Sequence, residues 1–311
     1  MENSTANWSW ASGGYNGHRA WNEGRYDRWV PNKGAHCMSY LTRHDIPYHY
    51  ALADAFTLCD AYHCSFHGGT NTNRLFHWTG TNDPTGAAGG PVIDNSGDHL
   101  DAGVTYSWKT YPERLQAAGV SWKVYQNMPD NFTDNPLAGF QQYRAANAAR
   151  GNAANGSPYP AYTPADDATN PLFKGIGNTM PDGGFVQALR DDIAAGTLPQ
   201  VSWIVAPATY SEHPGPSSPV QGAWYTQEVL NALTANPAVW SKTVLFINFD
   251  ENDGFFDHVP PPAAPAYDNG VLAGKSSPAL PLAGTICTCA YAPGRILPPW
   301  PPLVCAQPVW T

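Results

Sequence analysis

The sequence predicts an α/β fold, a mainly parallel sheet flanked by helices, and three observations lead there. From about residue 100 a helix-like stretch followed by a short apolar run recurs three times, the order in which parallel α/β units are written. Apolar residues make up 42% of the chain and charged residues only 13%, so the apolar surface needed to offset chain entropy is available. At 311 residues the chain can bury a substantial core, as one large domain or two smaller ones.

Taken in order, residues 8–45 crowd Trp, Tyr, Arg and Gly without a period, and no core strand is expected before residue 40. Residues 49–61 then read as a helix carried by Tyr50, Leu52, Ala53, Phe56 and Leu58. The first unit runs from 110–118 through Gly119 to the apolar stretch 121–126. The second runs from 184–195 through Gly196 to 201–205, and the third from 221–235 to 243–249. Between the first two, residues 129–180 are rich in Asn, Ala, Gly and Pro and sustain neither period. This stretch reads as a lid or surface insertion, or as structural decoration. Residues 279–311 repeat Pro, hold three of the six cysteines and show no period, so an irregular tail is expected. The domain expectation is one domain over 1–278, with its insertion, followed by that tail.

A formal charge of -9 and a pI near 5.4 oppose the electrostatics of nucleic-acid binding or docking on an anionic membrane. No apolar run approaches the roughly 20 residues of a transmembrane span, and residues 1–10 show no signal peptide. The cysteines form no pair of CxxC motifs. Cys59 and Cys64 read as two buried thiols or, in an oxidising compartment, as a bridge.

Three segments carry candidate chemistry. The apolar run 244–249 ends abruptly in Asp250-Glu251-Asn252-Asp253-Gly254, and the carboxyl ends of strands form the ligand crevice of open α/β sheets. Adjacent carboxylates there repel unless a cation or proton sits between them, which suits a hard divalent metal; a solvated turn after a strand has the same spacing. In His67-Gly68-Gly69-Thr70-Asn71-Thr72-Asn73-Arg74 a hydroxyl residue precedes a helix-like stretch. Free N–H groups and the helix dipole favour anions at such a position, and Arg74 offers a planar fork for phosphate oxygens. Thr70 is then a nucleophile if a metal lowers its pKa, or a simple N-cap. The third segment, Tyr210-Ser211-Glu212-His213-Pro214, follows the apolar run 201–205. His213 there is a proton donor for a leaving alkoxide or a loop histidine on a carbonyl, and His258 in Phe255-Phe256-Asp257-His258-Val259 has the same two readings.

Together with Trp21-Asn22-Glu23-Gly24-Arg25-Tyr26-Asp27, Asp45-Ile46-Pro47 and Cys59-Asp60-Ala61-Tyr62-His63-Cys64, these segments resemble one family over about residues 15–278. It is the bacterial phosphoesterase family that contains the phosphocholine-specific (non-haemolytic type) phospholipases C and the related acid phosphatases. The resemblance implies an alkaline-phosphatase-like fold and one divalent metal ion held by Asp250, Glu251 and Thr70. It implies Thr70 as nucleophile, Asn73 and Arg74 on the phosphate, His213 for leaving-group protonation, and His63 and His258 as further pocket residues. It also implies a phospholipid or small phosphate ester as substrate and a periplasmic or secreted location. Two departures stand out: the family's leading core strand with its Glu-Asn-Arg-Ser motif is missing, and the family's last core strand and helix are replaced by the tail. Glu2-Asn3 mimics the dipeptide by coincidence. The fold is therefore expected to be incomplete at both ends. Phospholipase C action on phosphatidylcholine leads the functional readings, with an acid phosphatase-type monoesterase and a truncated non-catalytic remnant as alternatives.

Overall fold

The computed structural model describes residues 16–22, 25–66, 69–153, 159–251, 254–258, 267–268, 271–272 and 303–307. Glu2 and Asn3, His67, Gly68 and most of the stretch after 258 lie outside the described residues. The chain divides into two compact units. One comprises Met1–Gly69 with Glu251–Ile296 and Thr311; the other comprises Thr70–Asp250 with Leu297–Trp310.

In the first unit, helices α1 (Asn16–Trp21), α2 (Trp29–Lys33) and α3 (Pro47–Ala55) precede a short antiparallel pair, β4 (Tyr267–Asp268) and β5 (Val271–Leu272). Trp29 packs edge-on against Tyr26 and Phe256, with ring centroids 5.2 and 5.7 Å away. The helix expected over 49–61 ends at Ala55, and Phe56 and Leu58 are exposed rather than turned to a core. Cys59 is also exposed and Cys64 half-buried, against the expectation of two buried thiols.

The second unit holds the parallel α/β units. Its helices are α4 (Thr70–Thr79), α5 (Tyr111–Ala117), α6 (Gln141–Ala149), α7 (Gln187–Ala195), α8 (Pro219–Thr234) and α9 (Pro237–Trp240). The strands β1 (Trp122–Tyr125), β2 (Val201–Val205), β3 (Val244–Ile247) and β6 (Leu303–Gln307) form a parallel sheet in the order β1-β2-β6-β3. Several helix ends have a local cause. Thr110 and Glu113 close a capping box at the head of α5, while Gly119 and Gly196, at φ 69° and 70°, take the left-handed turns that end α5 and α7.

Side chains alternate across the strands, which builds a core on each face of the sheet. Trp122, Val124, Trp203 and Val205 join Trp78, Phe140, Tyr143 and Phe173 in one cluster. Tyr125 and Ile204 turn the other way, to Leu189, Ile193, Val229 and Leu233 of α7 and α8. Helix α4 is fixed to the first face by Trp78, which stacks on Trp203 with centroids 4.9 Å apart.

Two expectations are corrected here. The stretch 129–180 is no surface insertion: it contains α6, and Leu137, Phe140, Tyr143 and Phe173 are at most 1% exposed. Its apolar residues are spread over several short 3-10 turns and one helix, so no single period shows in sequence. Within the tail expected to be irregular, Leu303–Gln307 is a strand paired on both sides, with β2 and β3. Two strand edges facing a gap leave their N–H and C=O groups unpaired, and a proline-free run of five residues satisfies both.

Candidate active site

Because the sheet is parallel, the carboxyl ends of β1, β2 and β3 open on one edge, and the segments that leave them carry the candidate residues. Helix α4 is set by its own first turn. Asn71 donates from its backbone N–H to Asn95 Oδ1 at 3.0 Å and from Nδ2 to the Asp94 carbonyl at 3.1 Å. Thr72 Oγ1 donates to the Val92 carbonyl at 3.3 Å. Asn71, Thr72, Asn73 and Arg74 are all buried, an unusual load of polar groups that requires such partners.

Arg74 is the hub. Its Nε lies 3.2 Å from Asp250 Oδ2, and its Nη2 lies 3.2 Å from Asp134 Oδ2. Nη1 also donates to the Asp134 carbonyl at 3.0 Å. All three side chains are almost wholly buried. Burial lifts both carboxyls above their usual range, and the single guanidinium charge between them balances only one. Asp134 is pushed up to about 8, burial being the main cause, with Asp250 and Asp98 adding to it against Arg74. Asp250 is raised for the same reason, and is held back by Arg74, the Thr70 hydroxyl and His213.

His213, half-buried, comes from the segment after β2. Its Nδ1–H donates to the Pro214 carbonyl at 2.8 Å, which leaves Nε2 as the basic nitrogen. Burial holds its pKa below the ordinary histidine value, so the resting ring is neutral at neutral pH. Phe132 packs against the ring, tilted by 56° with centroids 4.8 Å apart. Beside it, Glu212 takes a positive φ of 66°, and burial pushes its carboxyl up to about 10.

Within the second unit the structure thus brings together Thr70, Arg74, Asp250 and His213, with Asn73 buried on the same helix. The remaining candidates belong to the first unit. Glu251 is buried and directly follows Asp250. His63 is half-buried; His258 is 72% exposed and pairs with Asp257 at 3.1 Å and Asp60 at 3.5 Å. Asp134 and Phe132 were missed by sequence reading, because they sit in the stretch that shows no period. Glu212 is part of the quoted Ser-Glu-His-Pro motif, whose buried carboxyl the spacing does not reveal.

The donor chemistry suits a hard divalent cation. Asp250 is a carboxylate that a positive charge would stabilise against burial, the Thr70 hydroxyl already lies on it, and Glu251 follows. Among the described residues no three His, Cys, Asp or Glu side chains converge.

The family model described as Phosphoesterase family matches residues 7–295. This chain belongs to the Phosphoesterase family. Among its relatives it is 57% identical over 263 residues to the non-hemolytic phospholipase C of Pseudomonas aeruginosa, covering 83% of this chain and 34% of the relative. It is 48% identical over 308 residues to the non-hemolytic phospholipase C of Burkholderia pseudomallei, covering 91% of this chain and 40% of the relative. Phospholipase C A of Mycobacterium tuberculosis is 42% identical over 258 residues, or 80% of this chain and 45% of the relative. This phosphoesterase-family chain therefore spans between a third and a half of the length of the curated relatives it matches. Among its described residues no helix is long and apolar enough to cross a membrane.

Proposed function

We propose that this chain carries the phosphoester-hydrolysing site of a phospholipase C, acting on phosphatidylcholine to give diacylglycerol and phosphocholine. The single observation that carries the reading is the buried Asp250 carboxyl, 3.2 Å from the Arg74 guanidinium that it shares with Asp134, with the Thr70 hydroxyl acting on it. In this reading the Thr70 hydroxyl attacks phosphorus and its proton passes to Asp250. The bond from phosphorus to the glycerol oxygen breaks, the alkoxide takes a proton from His213, and a phospho-threonine forms. Water then attacks phosphorus, giving one proton to His213 as its oxygen joins phosphorus; the bond from phosphorus to the Thr70 oxygen breaks, that oxygen takes back the proton held by Asp250, and phosphocholine is released. Arg74 and Asn73 hold the phosphate oxygens, and the bound anion favours the imidazolium that His213 needs. A divalent metal ion held by Asp250, Glu251 and Thr70 would supply Lewis-acid polarisation and lower the pKa of the hydroxyl. His63 and His258 are assigned to the pocket on family resemblance alone, as are the alkaline-phosphatase-like fold, incomplete at both ends, and an extracytoplasmic location.

The test uses the purified chain with added divalent metal, measuring phosphocholine released from phosphatidylcholine and phosphate released from a monoester. Phosphocholine release that disappears in Thr70→Ala, with folding intact, is the expected result. Phosphate release alone would replace the diester reading by the monoesterase one. No hydrolysis of either would favour the non-catalytic remnant.

A further inference from the structure

A four-residue turn, 131–134, follows β1 after a short 3-10 turn at Met128–Asp130 and touches two parts of the candidate site at once. The Asp134 N–H closes it onto the Asn131 carbonyl at 2.9 Å, and its central residues, Phe132 and Thr133, both stand at positive φ, 54° and 59°. An aromatic and a β-branched residue are poorly suited to that region. Such strain persists only where the surroundings over-determine it, and it concentrates at functional sites.

The surroundings here are a hydrogen-bond staple. Gln126, the residue after β1, is fully buried. Its Oε1 accepts from Asn131 Nδ2 at 2.9 Å and from Asn135 Nδ2 at 3.0 Å, on the two flanks of the turn. Gln126 is pinned in turn: its N–H donates to Thr179 Oγ1 at 2.9 Å and its Nε2 to the Gly177 carbonyl at 3.2 Å. Phe132 and Thr133 line a cavity of about 230 Å³ together with Asp98, Met128 and Tyr159, and the polar staple ties the turn down beside it.

What the turn presents is specific. Phe132 packs its ring against His213 at an interplanar angle of 56°, and two residues later Asp134 grips Arg74 through both its side chain and its carbonyl. We propose that the 131–135 turn, stapled to the end of β1 by Gln126, is a positioning element that sets His213 and Arg74 relative to one another. Phe132 and Asp134 are then positioning residues: neither needs to touch the reacting atoms. The proposal rests on the reading of His213 and Arg74 given above, and its test separates the two.

Phe132→Gly removes the ring and the strained φ together. With a water-soluble phosphocholine ester, the wild-type chain and added divalent metal, kcat is expected to fall about 10- to 100-fold with KM little changed, while the urea midpoint stays level or rises. Phe132→Tyr is expected to restore kcat. The His213 Cε1–H resonance, read by NMR, is expected to lose the ring-current shift of Phe132 and to titrate at higher pH in Phe132→Gly. Unchanged kcat in Phe132→Gly, or loss of kcat and stability in parallel, would overturn the proposal. If the wild type hydrolyses nothing, the functional reading fails, and the resonance still decides: an unmoved His213 signal in Phe132→Gly refutes the turn's role.

Discussion

Replacing Asp134 by Asn should flatten the pH dependence of stability, an unusual outcome for a residue paired with arginine. In the folded chain the Asp134 carboxyl keeps its proton up to about pH 8, against an ordinary value of 3.8. Folding therefore takes up a proton between those limits. The stabilisation is complete below the ordinary value and is lost as pH rises through the folded one, at about 1.4 kcal/mol per pH unit while the difference in bound protons is complete. Asparagine keeps the shape and an oxygen facing Arg74 Nη2, 3.2 Å away in the parent side chain, yet cannot ionise. The two proteins should match near pH 4 and diverge in favour of the variant by about 2–4 kcal/mol at pH 8, once the network is allowed to adjust. Glu212, lifted in the same direction, contributes to both chains, so the difference reports Asp134 together with its coupling to Asp250. Urea unfolding followed by tryptophan fluorescence from pH 4.5 to 8.5 measures it. Parallel curves would refute the reasoning. So would a loss of about 3–5 kcal/mol at pH 7, the signature of a buried ionised partner removed from Arg74.

Other consequences follow from the same packing. Trp78→Ala removes the ring that fixes α4 to β2 and should cost about 3–5 kcal/mol in urea unfolding; a loss under 1 kcal/mol would mean that α4 is held by its polar first turn instead. A Cβ at Gly222 of α8 would overlap the buried Glu212 Cγ, so Gly222→Ala should destabilise by about 1–3 kcal/mol. Adding Glu212→Ala should recover part of that loss, and strictly additive energies would show that the two residues do not meet. Asp250→Asn should weaken binding of a divalent metal, followed by titration calorimetry, while an unchanged affinity would place the metal elsewhere.

The architecture of the second unit was legible because its signals are local. Gly119 and Gly196 end helices by a backbone geometry that needs no distant partner, and the 201–205 run reads as a strand since its residues are buried on both faces. Asp250 stood out for a similar reason: an apolar strand that stops at a carboxylate marks a sheet edge. By contrast, α3 was overextended because Phe56 and Leu58 have the right spacing but no core to meet. The 129–180 stretch was misjudged because its buried residues belong to short turns, and burial there is shared among many small pieces.

Within this chain, then, residue order by itself determined the alternation of helices and parallel strands, the polar first turn of α4 and the placing of Thr70, Asp250 and His213 at element ends. Those features depend on periods and breakers that act over a few residues. Only the tertiary structure decided that Arg74 is shared between Asp250 and Asp134, a residue 60 positions away, and that Phe132 packs against His213. Such pairings are set by which loops emerge from neighbouring strands on one edge of a parallel sheet, and no spacing along the chain records that neighbourhood.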